Sequence, residues 1–440
     1  MSSHNLSKQS PGLVVIGGGQ ASAQMIEVAR QEGYEGPVTL VSEEPVLPYQ
    51  RPPLSKQYLA GAHGEDWLLY RPDAFYTQHA VTLCLGSRAA AIDREKRQVT
   101  LESGEHIPYA RLALATGTRA AILKVPGGDH ARVFYIRTLA DVARLQPVLG
   151  ELNHVTIVGA GFIGLEVAAV LARMGKAVDV LARDSRVLPR LGCAGISTFL
   201  QDYHIRKGVA FHLSTVVAGI AGADGGRVKV LCGDGREILT DAVIAGIGAV
   251  PNTALAQRAG LACDNGIVVD EYAVSTDPYI LAAGDCTNHP NRHAGRRLRL
   301  ETVHNAVEQG RTAGFTIAGK ARPYEQTPWV WSDQFDLRIQ SVGVPDDFDA
   351  EVVRGDPGRG QFSVFQYQGQ RLTGATMVNQ PLVFAATRRI LNARLSLSPD
   401  EAADSRFDLQ SLAKKRPSLD FDRPWPTRQE KAGAKSWGHA

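Results

Sequence analysis

The feature that most constrains this 440-residue chain is a pair of glycine turns, each set between an apolar strand-like run and an apolar helical stretch. The first follows Leu13-Val14-Val15-Ile16 and reads Gly17-Gly18-Gly19-Gln20-Ala21-Ser22, opening a helical pattern that runs to about Glu32. The second follows Val155-Thr156-Ile157-Val158 and reads Gly159-Ala160-Gly161-Phe162-Ile163-Gly164, a complete G-x-G-x-x-G whose helix continues through Met174. In such a turn the first glycine (Gly17, Gly159) makes the bend, and the second (Gly19, Gly161) lets the backbone approach a pyrophosphate. The third position packs helix on strand; it holds Ser22 in one turn and Gly164 in the other. The free N–H groups and dipole of the helix start complete an anion site. A second strand, Val38 to Ser42, ends at Glu43, about 20 residues past the first turn, where a carboxylate can accept bonds from a ribose diol. Two such units predict an α/β chain with two Rossmann-like dinucleotide-binding domains.

The remaining pattern predicts how they connect. Arg111 to Gly117 reads as a short buried strand ending in small residues, and Val243 to Gly248 repeats that form, so both suit crossings between domains. Tyr279 to Asp285 is a strand closing on an acid, followed by a helix from about Val303 to Ala318; the first domain therefore resumes after the second is inserted. From Pro328 the period becomes two, with strands Phe362 to Tyr367 and Leu372 to Val378 and then a helix near Leu382 to Leu395. The expected division is 1–119 and 251–326 for the first dinucleotide domain, 120–250 for the second, 327–410 for a C-terminal α+β domain, and 411–440 for a tail. The proline and charge content of the tail reads as disordered, while Trp425 and Trp437 argue for partial docking.

Composition narrows the chemistry. A net charge of +3 gives no field suited to nucleic acid. No run reaches the ~18 apolar residues of a membrane span, and the start lacks a signal layout, so no membrane partner and a cytoplasmic location are expected. The five cysteines, Cys84, Cys193, Cys232, Cys263 and Cys286, are scattered, which provides no metal or iron–sulfur ligand set. Any electron carrier is then a bound organic one.

Further segments stand beside the turns: Leu47-Pro48-Tyr49-Gln50-Arg51-Pro52-Pro53-Leu54-Ser55-Lys56, Ala115-Thr116-Gly117, Gly159 to Glu166, Gly284-Asp285-Cys286, Glu301-Thr302-Val303 and Trp329-Val330-Trp331-Ser332-Asp333-Gln334. From about Leu13 to Leu395 the chain resembles the FAD-containing, NAD(P)H-dependent ferredoxin reductases of bacterial oxygenase systems, which have a glutathione-reductase-like fold. The resemblance implies an enzyme that takes hydride from NADH or NADPH onto FAD and gives single electrons to a [2Fe-2S] ferredoxin. Through it they would reach a terminal oxygenase, as in aromatic hydrocarbon catabolism. It implies that Gly17, Gly19, Ala21, Glu43, Arg51, Lys56, Ala89, Ala115, Thr116, Gly117, Arg137, Asp285, Val303 and Trp331 hold the FAD. Asp285 would serve the ribityl or pyrophosphate region, its alternative being an ordinary turn carboxylate. Val303 would offer its N–H to the flavin pyrimidine edge, where a helix start stabilises negative charge. Gly159, Gly161, Ile163, Gly164, Glu166, Arg183, Arg186 and Gly248 would receive the nicotinamide nucleotide.

Glu166 lies among apolar neighbours, where a carboxylate is costly unless paired. The resemblance gives Lys56 as its partner, the pair orienting the nicotinamide and Lys56 stabilising charge beside the flavin. The alternative leaves Lys56 on the surface and Glu166 held by the helix dipole. Trp331, with Trp329 as a second candidate, would border the isoalloxazine, with core packing as the alternative role. Arg311 and Lys414-Lys415-Arg416 are candidates to attract an acidic ferredoxin.

Two departures matter. Val178-Asp179-Val180-Leu181 is followed by Ala182 rather than an acid, with Arg183 and Arg186 close behind, so NADPH is acceptable along with NADH; Asp179, inside the strand, should point elsewhere. Glu43 to Tyr58 contains no cysteine, which excludes disulfide reduction and removes support for single-cysteine NADH oxidase and coenzyme A disulfide reductase chemistry. Two rival readings share the fold: an NADH-binding flavoprotein resembling apoptosis-inducing factor, and a reductase of monodehydroascorbate or rubredoxin.

Overall fold

Apolar runs bounded by glycine become the centres of two parallel sheets in the computed structural model, which describes residues 10–344 and 348–415. In the first sheet the wholly buried strand Gly12–Ile16 lies between Val38–Ser42 and His106–Leu114, with Val14 opposite Thr39 and Leu112. Val81–Leu85 extends one side, and the late strand Ile280–Ala282 returns to pair in parallel with Leu112 to Leu114. The chain thus leaves this sheet and comes back to it. The strand expected over 111–117 is longer and begins earlier. His106 to Ala110 alternates in burial because it pairs antiparallel with Gln98–Leu101, and only the later half is enclosed on both faces. It ends at Leu114, where Ala115 to Gly117 turns away with Gly117 at φ +58°.

The helices Gln20–Gln31 and Val303–Ile317 cross over this sheet in close contact. A Cβ on Gly310 would lie 2.5 Å from the Ala21 carbonyl oxygen, so the approach depends on its absence.

The second sheet is parallel throughout, in the order Val209–His212, Ala177–Leu181, His154–Val158, Ala242–Ala245, Val133–Phe134. The helices Leu139–Leu149, Phe162–Arg173 and Ala194–Arg206 accompany it. Where the chain passes between the two sheets, Thr118–Ala120 and Ala249–Pro251 pair as a two-stranded antiparallel ribbon. The last region is a five-stranded antiparallel sheet ordered Trp329–Gln334, Leu337–Gly343, Arg371–Val378, Gln361–Gln368, Ala350–Asp356. Phe384 and Ile390 of the helix Pro381–Asn392 join Val342, Phe365 and Met377 of that sheet in one core. Trp425, Trp437 and Arg416 lie outside the described residues. Among the described residues no helix is long and apolar enough to cross a membrane.

Candidate active site

Both glycine turns have the expected local form. Gly17 (φ +114°) and Gly159 (φ +110°) bend the chain against the neighbouring strand end; a Cβ on either would lie 2.2 Å from the Ala115 oxygen or 2.4 Å from the Gly246 oxygen. At Gly19 and Gly161 no atom lies within 4 Å of where a Cβ would stand, which leaves each helix start open to a phosphate. Ser22 does more than replace a glycine. Its hydroxyl donates to the Gly19 carbonyl at 2.7 Å and accepts from the Gly19 N–H at 3.0 Å, closing the turn on itself. In the second turn, Gly164 meets the Gly159 carbonyl so closely that a Cβ would lie 2.0 Å from it.

Lys56 and Trp331 border one cleft of about 180 Å³, walled also by Gln20, Pro52, Trp67 and Val303, and Glu166 is paired to Lys56. Lys56 caps the short helical turn Pro52–Ser55, and its Nζ lies 2.7 Å from Glu166 Oε2. The carboxylate belongs to the helix Phe162–Arg173, is 3% exposed, and also accepts from Ser55 at 2.5 Å and Ser332 at 2.6 Å. Burial pushes its pKa up, while Lys56 and the two hydroxyls oppose that rise. The alternative with Lys56 at the surface is therefore not what the chain adopts. Trp331 faces the cleft; Trp329, 5.4 Å from it, packs against Phe384 and His304 behind.

A second polar line runs beneath the first turn. Arg51 pairs with Glu44 at 2.5 Å and donates to the Arg137 carbonyl at 2.7 Å, and Arg137 pairs with Asp285 at 3.2 Å. Burial raises the Asp285 pKa against the pull of Arg137. Glu43 is exposed, 3.8 Å from Arg88, whereas its neighbour Glu44 takes both Arg51 and the Tyr49 hydroxyl. Ala89 begins the strand Ala89–Asp93 and packs in the cluster around Val14 and Ile16. Thr116 and Asn252 exchange hydrogen bonds, at 2.8 Å to the Asn252 carbonyl and 2.9 Å to the Thr116 carbonyl. Val303 opens its helix after Thr302, whose hydroxyl accepts from the Asn305 N–H. Gln309 accepts from the Gly284 N–H and the Thr287 hydroxyl at 2.7 Å each, and its Nε2 is buried without a partner among the described residues. Open turns, a walled cleft and a half-buried acid–guanidinium pair fit a flavin dinucleotide.

At the second turn, Ile163 is exposed, and Gly248 stands at φ +116° just before the strand Ala249–Pro251. Arg183 is exposed and Arg186 partly so, and neither has a hydrogen-bond or ion-pair partner among the described residues. Asp179 points away from them. It bridges His154 Nε2 at 2.5 Å and His212 Nε2 at 2.8 Å, which lowers its pKa and raises that of His154.

Sequence reasoning missed Ser55, Ser332, Gln334, Glu44 and Gln309. Ser55, Ser332 and Gln334 lie inside segments already singled out, but a hydroxyl or amide announces no partner in sequence.

Residues 11–310 match the pyridine nucleotide-disulphide oxidoreductase family, and residues 329–413 the reductase C-terminal family. Rhodocoxin reductase of Rhodococcus erythropolis is 40% identical over 398 residues, covering 90% of this chain and 93% of that protein. The crystal structure of a ferredoxin reductase from Rhodopseudomonas palustris superposes with a TM-score of 0.89 at 38% identity, covering 92% of this chain and 100% of that one. The reductase in the covalent putidaredoxin reductase–putidaredoxin complex gives 0.88 at 36% identity, over 92% and 98%. All five cysteines of the present chain are free.

Proposed function

The chain belongs to the pyridine nucleotide-disulphide oxidoreductase family, with a reductase C-terminal region joined to it, and from that premise we propose that it is the ferredoxin reductase of a multicomponent oxygenase system. It takes hydride from NADH or NADPH and passes single electrons to a [2Fe-2S] ferredoxin, in the cytoplasm. The observation that carries the reading is the buried Lys56–Glu166 pair at a cleft bordered by Trp331, Val303 and Gln20, the residue that opens the first glycine-turn helix.

FAD, when bound, supplies the exchange between a two-electron donor and a one-electron acceptor. The chain's own residues do the rest. The open first turn and the start of its helix hold a pyrophosphate, and Arg137 with Asp285 orders the strand end beside it. Lys56 keeps a fixed ammonium at the cleft where negative charge develops, and Glu166 holds that ammonium in place. Such fixed charge needs no reorganisation during reaction. Trp331 covers the cleft from the C-terminal sheet and excludes water. Arg183 and Arg186, without protein partners among the described residues, can pair with a 2′-phosphate, so both nucleotides are accepted.

The test is a reconstituted assay. Purified protein is mixed with NADPH or NADH, and cytochrome c reduction is followed with and without a [2Fe-2S] ferredoxin. Strong ferredoxin dependence is expected; a colourless protein that takes up no flavin sinks the reading.

A further inference from the structure

Five buried polar side chains, Ser55, Glu166, Ser332, Gln334 and His204, form one line between the C-terminal sheet and the second nucleotide unit. At its near end Lys56 Nζ and Ser55 Oγ meet Glu166 Oε2. Ser332 Oγ lies 2.6 Å from Glu166 Oε1, Gln334 Nε2 lies 3.1 Å from Ser332 Oγ, and His204 Nε2 lies 3.0 Å from Gln334 Oε1. Ser332 and Gln334 share one face of the strand Trp329–Gln334, the face opposite Trp331. His204 comes from the helix Ala194–Arg206.

The direction of the donors follows from the far end. His204 Nδ1 is buried with no partner among the described residues, and burial presses the ring's pKa down to about 4, so the imidazole is neutral and carries one N–H. On Nδ1 that proton would be a stranded buried donor. On Nε2 it meets the Gln334 carbonyl and leaves only an acceptor nitrogen without a donor. Gln334 then donates from Nε2 to Ser332, and Ser332 turns its single hydrogen to Glu166. Every donor in the line points at the carboxylate. The line delivers its hydrogen to Oε1, so a protonated Glu166 would have to carry its own hydrogen on Oε2, beside the Lys56 ammonium.

We propose that Ser332, fixed by Gln334 and His204, is a positioning residue that keeps Glu166 an ionised partner for Lys56. The proposal rests on the hydride-transfer reading above and makes the C-terminal sheet part of the donor side of the reaction. Few other charges bear on it. Lys56 is the charged group from the Pro52–Ser55 turn, and Asp333 on the strand turns to Arg338 at 2.9 Å. Beyond Gln334, His204 meets Phe335 and Phe211.

The test uses the oxidised holoenzyme with carboxyl-labelled glutamate. The infrared band of Glu166 is identified by its loss in Glu166→Gln and followed against pH, and the pH profile of flavin reduction by NAD(P)H is recorded in parallel. Wild type should show a carboxylate at neutral pH. Ser332→Ala should raise the midpoint of the band and the acidic limb of the profile by about one pH unit, roughly a tenfold change in the ionisation constant. Gln334→Met should shift both the same way by less, and Ser332→Thr should restore them. A carboxylic-acid band in wild type at neutral pH overturns the proposal, as do coincident midpoints in wild type, Ser332→Ala and Gln334→Met. If Ser332→Ala does not fold, the wild-type band and Gln334→Met decide. Failure of wild type to be reduced by either nucleotide would defeat the functional reading instead, and the band would still judge the line.

Discussion

Asn252 and Thr116 bind each other twice, 2.8 Å from the threonine hydroxyl and 2.9 Å from the asparagine amide, across the two segments where the chain passes between its nucleotide sheets. The outgoing strand Thr118–Ala120 and the incoming strand Ala249–Pro251 pair immediately beside them. The crossings therefore brace one another. Lys56 precedes the outgoing crossing in the chain and Glu166 follows it, so the ion pair joins the same two units that the crossings connect.

Replacing Lys56 by Met should slow flavin reduction about a hundredfold while changing nucleotide affinity by less than about threefold. The substitution also strands a buried carboxylate, which should cost about 3 kcal/mol in denaturant unfolding. Stopped-flow reduction and nucleotide titration separate the effects, and an unchanged reduction rate removes Lys56 from the chemistry.

Arg183→Ala combined with Arg186→Ala should lower kcat/KM for NADPH about tenfold or more and leave NADH nearly unaffected, because NADH has no 2′-phosphate. In the wild type, an NADH advantage above about a hundredfold, near 2.7 kcal/mol, would contradict use of both donors.

The Asp179–His154 contact predicts a pH window in stability. His154 has a raised folded pKa, so its contribution is complete below about pH 6.5 and fades as pH rises through the folded value. Asp179 has a lowered one, so its contribution is complete above about pH 3.9 and fades as pH falls through the folded value. Asp179→Asn should thus cost most between those limits, about 1 kcal/mol or more, and least in alkali. Urea midpoints of both proteins in mild acid and mild alkali check this; equal penalties would mean that no charged pair forms.

Gly310→Ala should destabilise the fold by about 1–3 kcal/mol and loosen flavin retention, since the new carbon would fall 2.5 Å from the Ala21 oxygen and drive the two helices apart. Thermal melts and flavin content after gel filtration report the two consequences. Alanine has the higher helix propensity, so the expected loss appears against that gain.

Much of the fold was legible because backbone demands leave marks in sequence. A tight bend against a strand end requires glycine at Gly17 and Gly159, and an enclosed parallel strand requires an unbroken apolar run such as Val155 to Val158. The first half of His106–Leu114 alternates exposed and buried residues and lacks the unbroken apolar run that marks its later half. The site was less legible. Lys56 and Glu166 were joined through a family resemblance, not through any local signal. Ser332, Gln334 and His204 acquire partners only when a strand, a helix and a nucleotide turn from distant parts of the chain are packed together, and Glu44 differs from Glu43 only in which way it faces.

The ion pair also bears on how such proteins can be recombined. Its two members come from different nucleotide units and its third support from the C-terminal sheet, so the apparent modularity of two glycine turns is misleading. Grafting a foreign donor-binding segment between positions 120 and 250, an obvious way to change nucleotide preference, succeeds only if the incoming helix brings an acid at the place of Glu166. Otherwise the recipient is left with an unanswered ammonium and an idle hydroxyl at its interior junction. Chimeras should therefore be chosen by whether this three-way seam matches, before any comparison of overall identity.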